Sequence, residues 1–572
     1  MVKRLHAWIK KKNWWFFPLY TILVVVLTFI SYRNMNKVFY SSDEWIGQGV
    51  VYNYGISTGL RKETPFIEVL AGRGRPLTFL LISIYMYYFS YNVIPFVITA
   101  CLFHIINGLL FYLYLYKISK NMFIGFIGGI FFVTAHAGHQ SITWIVNSTQ
   151  DPIAVTCILL SQLYLIQYIE RQKKKFLFLS VLAAYVAFLF KDAYFYIFVW
   201  LPIFYILFIG KKITIKQIFS KYWPLLIGIF IIIVYKMNVL QGLQIFTIKP
   251  GVIAYWQKVG FNWLYYSYVS LSQTFIPQDY MFKIAKSFLF FNYRDLITYI
   301  NNIDVISQNI ISDLLSSIFS FIFLITITIA YVLNRPQRKT IIIGGIFYIL
   351  SFSTIAVFLL SRNTSYIESR YLYTGMISMG IFFAVIIDTI KKIVYKTKIP
   401  VVFSIICLAS FFLLYFSKQV TLIQREVNRN VISGQNTKNV LLELSKVLPV
   451  LPDKPIIYLT GSDFYYGYVN LHVPLQLNPG YVFMIWYYKS GKIPKELLPK
   501  EFSSNALSSF GGQWYEEYGD RAFGYYWDKE GLRDVVKEKN INSSQLIGLY
   551  YDGKTKKFKD ITDELQSELF NR

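Results

Sequence analysis

Charge is scarce in this chain, and acids are the scarcer sign: 15% of the residues are Asp, Glu, Lys or Arg, and 57 basic residues stand against 31 acids. A composition that poor in charge excludes an ordinary soluble domain, in which about a quarter of the residues are charged. Cysteine is nearly missing too. Cys101, Cys157 and Cys407 each fall inside an apolar run, which leaves them as small packing residues and excludes a disulfide framework or a cysteine-based metal site. No period of about 20 to 50 residues recurs, so the chain does not build a repeat array.

What the 572 residues do contain is hydrocarbon, 55% hydrophobic and 19% aromatic. Apolar runs of about twenty residues, long enough to cross a bilayer, predict a polytopic α-helical membrane protein. The formal charge of +26 does not point to nucleic acid. The short segments 1–13, 117–122, 170–175, 211–221, 334–339 and 391–398 carry 22 Lys and Arg against one acid, Glu170. Basic residues stay on the cytoplasmic side of a membrane, so these clusters are topology signals and no nucleic-acid partner is expected.

Taken in order, the clusters predict about eleven transmembrane helices within residues 1–417, with the N-terminus cytoplasmic. Trp14–Tyr32 reads as an uncleaved first span, followed by an outer loop over 33–76 and an interfacial helix over 77–89, too short to cross. Further spans fall at about 93–116, 122–142, 151–170, 176–190, 193–209 and 223–240. A second large outer loop, 241–311, is dense in Tyr, Trp and Phe, and the last spans are placed at 312–333, 340–360, 371–390 and 399–417. From 418 to 572 the character changes to 20 basic and 18 acidic residues. A helix at 425–447, a strand at Ile456–Leu459, a helix at 529–539 and a hairpin pairing Leu546–Tyr551 with Phe558–Ile561 predict an extracytoplasmic α/β domain.

Ionisable residues at membrane depth point to function by default, and here they gather at the outer ends of the spans. The first outer loop supplies the acid pair Asp43 and Glu44 and the basic residues Arg73 and Arg75. Adjacent acids also occur simply as helix starts, but this pair could activate a hydroxyl while the arginines hold a phosphate. His136 and His139 share a helical face with no third ligand at a metal-binding spacing, so no metal site is expected there. Asp151, Lys191, Asp192, Glu368, Arg370 and Tyr371 complete the outer set, with Lys191-Asp192 also readable as a helix-end ion pair. His104 and Asn107, three apart in mid-span, read first as interhelical hydrogen-bonding partners. A transporter places its polar groups near the midplane; groups gathered at one surface favour an enzyme.

Six stretches carry a resemblance to a known family: VFYSSDEWIGQGVVYN, GRPLTFLLISIYMYY, FHIINGLLFYLY, GGIFFVTAHAGHQSITWIVNSTQD, YVAFLFKDAYFYIFVWLP and SYIESRYLYTGMISMG. In this order they resemble the C-type (GT-C) membrane glycosyltransferases, most of all the bacterial relatives of transmembrane O-mannosyltransferases that use a polyprenyl-phosphate sugar. The likeness covers about residues 35–210 and 362–382. Ala137 stands where that family has Pro, Ser369 interrupts its Glu-Arg-Tyr, and no tetratricopeptide repeats are present, which leaves the acceptor open.

The resemblance implies a glycosyltransferase of the plasma (inner) membrane that moves a sugar from a polyprenyl-phosphate carrier to a hydroxyl of a glycan, lipid or protein on the outer face. Asp43 would be the base and Glu44 would orient it. Arg73, Arg75, Lys191 and Arg370 would hold the donor phosphate, and His104, Asn107, His136, His139, Asp151, Asp192, Glu368 and Tyr371 would line the substrate pocket. A single displacement with one base inverts the anomeric carbon. No cofactor is required, although a divalent cation (Mg or Mn) could sit between Asp43 and Glu44. The alternatives are an envelope-glycan flippase or exporter, which calls for midplane polar groups, and a lipid-linked glycan ligase or polymerase, which calls for arginines and a histidine in a large outer loop. The loop 241–311 offers Arg294 and no histidine.

Overall fold

The computed structural model describes residues 16–40, 43–56, 75–209, 252–277, 280–281, 283–284, 287, 301–353, 367–396, 401–462, 464–466, 469–471, 479–488, 513–519 and 521–570. It is mostly helical, with a mixed five-stranded sheet near the C-terminus. The longer helices are α1 (Phe16–Ser31), α2 (Asp43–Tyr54), α3 (Pro76–Phe89), α4 (Ile94–Ser119), α5 (Met122–Thr134), α6 (Asp151–Arg171), α7 (Lys174–Phe190) and α8 (Tyr196–Ile209). After them come α9 (Val252–Phe275), α10 (Asn301–Leu333), α11 (Arg338–Phe352), α12 (Gly375–Lys396), α13 (Val401–Val447), α14 (Pro479–Tyr488), α15 (Lys529–Glu538) and α16 (Thr562–Phe570). The chain divides into two compact units. One comprises 1–33, 63–78 and 96–426, the other 34–62, 79–95 and 427–572.

Among the described residues, six helical segments are long and apolar enough to cross a membrane: Phe16–Lys37, Ile94–Ser119, Ile145–Arg171, Asp192–Ile209, Ile311–Leu333 and Ile406–Val447. They make the chain a multi-pass membrane protein. In an 18-residue apolar stretch of Ile145–Arg171, 78% of the residues are buried, against 17% in the corresponding stretches of Ile311–Leu333 and Ile406–Val447, so the first is packed inside and the other two present hydrocarbon outward. Phe29, Phe321, Leu413 and Leu414 are well exposed, a surface that water would not tolerate in bulk.

Several predicted boundaries move. The helix expected over 122–142 stops at Thr134: Ala135 is extended, and the backbone N–H of His136 is taken by Gln419 Oε1 at 2.9 Å, so both histidines lie beyond the helix end. At its start Asn121 caps it by accepting from Phe123 N at 3.0 Å. The helix of the last predicted span does not end at 417. α13 continues unbroken to Val447, because the change from apolar to charged residues alters its surroundings and not its backbone preference. In the outer segment predicted at 241–311, whose aromatic density suits helices on the membrane surface better than a solvated loop, α9 forms a helix of 24 residues. The span expected at 223–240 lies outside the described residues.

Within the first unit, glycines set how closely helices approach. A Cβ on Gly128 of α5 would lie 2.2 Å from Leu115 Cδ1 and 3.1 Å from Gly380 O of α12, and one on Gly380 would lie 2.6 Å from Phe111. Small residues at such crossings let backbones meet. Gly128→Val is therefore expected to destabilise by about 1–3 kcal/mol through overpacking, read as a lowered thermal midpoint of the purified protein in detergent.

In the second unit the sheet runs β4-β5-β1-β6-β7, built from β1 (Ile456–Gly461), β4 (Trp514–Tyr518), β5 (Arg521–Tyr526), β6 (Leu546–Asp552) and β7 (Lys557–Asp560). The three inner strands are parallel, with Ile456 opposite both Gly524 and Leu546, and each edge strand is antiparallel. Two short strands, β2 (Phe464–Tyr466) and β3 (Val469–Leu471), form a separate hairpin. The predicted strand at 456, helix at 529 and hairpin at 546–561 are all present. Asp528 caps α15 by accepting from Gly531 N at 2.9 Å, and Leu532, Val535 and Val536 on its inner face join Ile456, Tyr458 and Leu546 in the core. Also in this unit α2 packs on α3: Tyr40 OH, in the turn before α2, donates to Ser90 O at 2.7 Å, the Tyr40 ring stands edge to face with those of Trp45 and Tyr91 within 5.6 Å, and the Trp45 and Tyr91 rings lie tilted at 5.4 Å.

Candidate functional site

The first unit brings together polar residues that lie far apart in sequence. At their centre is Asp151, the first residue of α6, whose side chain is 0% exposed. Its Oδ1 accepts from Lys191 Nζ at 2.7 Å and from Tyr194 OH at 2.6 Å, and its Oδ2 accepts from Ser141 Oγ at 2.8 Å. Lys191 follows the last residue of α7 and is itself buried. Burial pushes its pKa down, Asp151 works against that, and the charges of Arg75 and Arg370 push it down further, so the net shift is downward. Those last two effects also mark the three cations as neighbours.

Arg370 lies in the short turn Ser369–Leu372 ahead of α12. Its Nη2 pairs with Glu368 Oε2 at 2.6 Å, and its guanidinium covers the rings of Trp144 at 4.3 Å and Tyr371 at 5.0 Å. Lys191 Nζ sits 5.7 Å from the same Tyr371 ring. Ser141 ties the two halves, its one hydroxyl proton shared between Asp151 Oδ2 at 2.8 Å and Arg370 O at 3.2 Å. Arg75, immediately before α3, pairs with Asp192 Oδ1 at 3.5 Å and donates to Gln150 Oε1 at 3.4 Å. Its φ of 54° places a non-glycine residue in the left-handed region next to a proline, a conformation that costs about 1–3 kcal/mol and persists where surroundings hold it. Arg370 Nε and Gln150 Nε2 are buried and find no hydrogen-bond partner among the described residues. A buried donor left so costs about 1–3 kcal/mol, and an anion arriving here would relieve it.

The histidines divide into two groups. His104 Nε2 can only donate to Val133 O at 3.1 Å, so Nδ1 accepts from Tyr373 OH at 2.8 Å. Tyr373 OH in turn accepts from Asn107 Nδ2 at 3.2 Å; that nitrogen also reaches Pro152 O, and Asn107 Oδ1 accepts from Thr156 Oγ1 at 2.6 Å. His104 and Asn107 are thus consumed in binding α4 to α5, α6 and Tyr373, and have no groups to offer a substrate. His136 and His139 stack at 4.2 Å. His139 Nδ1 donates to His136 O at 2.7 Å and approaches Ser369 Oγ at 2.9 Å, while Ser369 Oγ donates to Ala137 O at 2.6 Å. The serine that interrupts the family's pattern therefore fastens the histidine turn. Burial, then His139 and Arg425, push the His136 pKa well below its usual value, which keeps it neutral. Among the described residues no group of three or more His, Cys, Asp or Glu could hold a metal ion.

The acid pair belongs to the second unit. Asp43 begins α2, and its side chain lies outside the described residues, as does all of Arg73. Glu44 is buried, 1% exposed, near Tyr40, whose pKa is raised first by burial and then by the Glu44 charge. Residues the sequence did not single out, Ser141, Trp144, Gln150 and Tyr194, contribute as much to the first-unit cluster as those it did. Tyr194 could have been found, since it follows Lys191-Asp192 within one turn; the others are defined only by tertiary contact. No protein-family model matches the chain, and no curated protein matches it.

Proposed function

We propose that the chain is a membrane glycosyltransferase of the C type, with about eleven spans and an outward-facing C-terminal domain, that passes a sugar from a polyprenyl-phosphate carrier to an acceptor hydroxyl with inversion. The observation that carries this reading is the gathering of Arg75, Lys191 and Arg370, from three distant segments, each beside its own carboxylate and with Lys191 held by the buried Asp151. Cations converging from distant segments suit a leaving phosphate whose negative charge grows as the bond to the sugar breaks. In that step the acceptor oxygen attacks the anomeric carbon, the bond from that carbon to the phosphate oxygen breaks, and polyprenyl phosphate departs with the electron pair. The acceptor proton goes to a carboxylate base, a role Asp43 holds on the family resemblance alone.

Each cation already faces an acid: Lys191 with Asp151, Arg370 with Glu368, Arg75 with Asp192. Asp151 is fully engaged and fixes Lys191. Arg370 and Arg75, less buried and with a free donor on or beside them, are the residues that would turn to the phosphate. An exporter would need open polar groups at mid-span, and the mid-span pair His104 and Asn107 is satisfied within the protein. The test is transfer of labelled sugar from synthetic polyprenyl-phosphate hexose in membranes carrying the chain. Wild type is expected to release polyprenyl phosphate and Asp43→Asn to lose transfer by about 100-fold or more at unchanged expression. Full transfer by Asp43→Asn would remove that residue from the mechanism, and no transfer by the wild type across hexose donors would count against the reaction.

A further inference from the structure

A cleft of about 310 Å³ opens in the second unit, where residues 36–39 and 91–93 meet α13 and α14. Its size lies at the lower end of small-molecule sites, about 300–1,000 Å³. One wall is aromatic. The rings of Tyr91 and Trp486 lie 5.6 Å apart at 40°, and their polar ends are tied back: Tyr91 OH donates to Ile485 O at 3.3 Å and Trp486 Nε1 to Ser445 Oγ at 2.7 Å. What they present to the cleft is ring surface.

Asn36, Lys37, Asn92, Gln435 and Lys438 make the polar part of the lining. A Cβ on Gly434 would lie 2.6 Å from Phe39 N, and this close approach lets Gln435 Nε2 donate to Lys37 O at 2.6 Å. Gln435 keeps its amide oxygen for a ligand, and Asn92, whose Oδ1 accepts from Ile94 N at 3.0 Å, keeps its amide donors. Lys37 and Lys438 supply two ammonium groups. Lys438 Nζ lies 5.8 Å from the Phe39 ring, and no carboxylate among the described residues forms an ion pair with either lysine.

We propose that this cleft binds an acidic saccharide. Sugar rings lie against Tyr91 and Trp486, hydroxyls bond to Asn92 and Gln435, and a carboxylate or phosphate on the saccharide pairs with Lys37 and Lys438. An anionic lipid headgroup would call on the two lysines only and would leave the ring wall and the amides without a role. Under the transfer reading such a chain is the acceptor. Binding is read without turnover, however, so the two readings fail separately.

The experiment uses the full chain in detergent and follows calorimetric binding of a glucuronate-containing tetrasaccharide, its carboxyl-reduced form, and phosphatidylglycerol vesicles as competitor. The acidic tetrasaccharide is expected to bind about tenfold more tightly than the reduced form, to resist the vesicles, and to lose that preference in the double variant K37Q/K438Q. Both lysines are on the protein surface, so the variant should fold; a wild-type thermal midpoint will verify it. Equal binding of the two tetrasaccharides, an unchanged preference in K37Q/K438Q, or displacement by the vesicles would overturn the proposal.

Discussion

Asp151→Ala will cost about 3–5 kcal/mol of stability, because it leaves Lys191 charged and buried with no counter-ion. The loss is compounded by Tyr194 OH, which would be left without an acceptor, and by Ser141 Oγ, which would keep only Arg370 O. Asp151→Asn keeps an acceptor for the hydroxyls but not the charge, so it should fall between alanine and wild type. The informative variant is the pair Asp151→Asn with Lys191→Met, which removes both charges. It should recover a large part of the stability lost in Asp151→Asn alone, since the penalty comes from the stranded ammonium rather than from a missing attraction. Thermal unfolding of the purified proteins in detergent reads all three. A midpoint for Asp151→Asn equal to wild type would mean that Lys191 does not depend on this carboxylate.

Much of the helical architecture could be read from the sequence because hydrocarbon length and the placement of basic residues are local properties. The Phe16–Ser31, Ile94–Ser119 and Lys174–Phe190 helices lie within a few residues of where the apolar runs put them. Helix ends were harder. Nothing between Met122 and Ile142 signals that Gln419, almost three hundred residues later, will capture the amide of His136 and stop the helix early. At residue 418 a sharp change in composition does not mark a helix end, because α13 runs through it to Val447. In the sheet, the 546–560 hairpin was legible from its Asp-Gly turn. The hairpin of β4 and β5 went unread although Gly519, at φ 62°, stands between two aromatic-rich runs. For the site, the span pattern puts Asp151, Lys191, Glu368 and Arg370 near the ends of apolar runs, but it does not give their pairing. Lys191 reads most simply as the partner of adjacent Asp192; the structure instead gives it Asp151, forty residues away, and gives Asp192 to Arg75.

Under the proposed sugar transfer, Arg370 is where the largest effect on chemistry is expected. Its guanidinium is clamped between Glu368 and the face of Trp144, with Nε buried and without a partner among the described residues. Removing a donor preorganised for charge that develops in the transition state costs about 10²–10³ in turnover. Arg370→Ala should therefore lower kcat by about that factor while changing KM much less. Arg370→Lys should rescue little, because an ammonium replaces neither the Nε donor nor the flat surface that stacks on Trp144. A Lys variant with near wild-type turnover would show that only the charge matters there.

The most direct measurement compares binding of polyprenyl phosphate with binding of the corresponding polyprenol, identical but for the phosphate, to the purified chain in nanodiscs. The proposed site predicts a preference of about tenfold or more for the phosphate in the wild type, with the preference lost in Arg370→Ala and in Arg75→Ala. Equal affinity for the two lipids, or a preference that survives both substitutions, would contradict it.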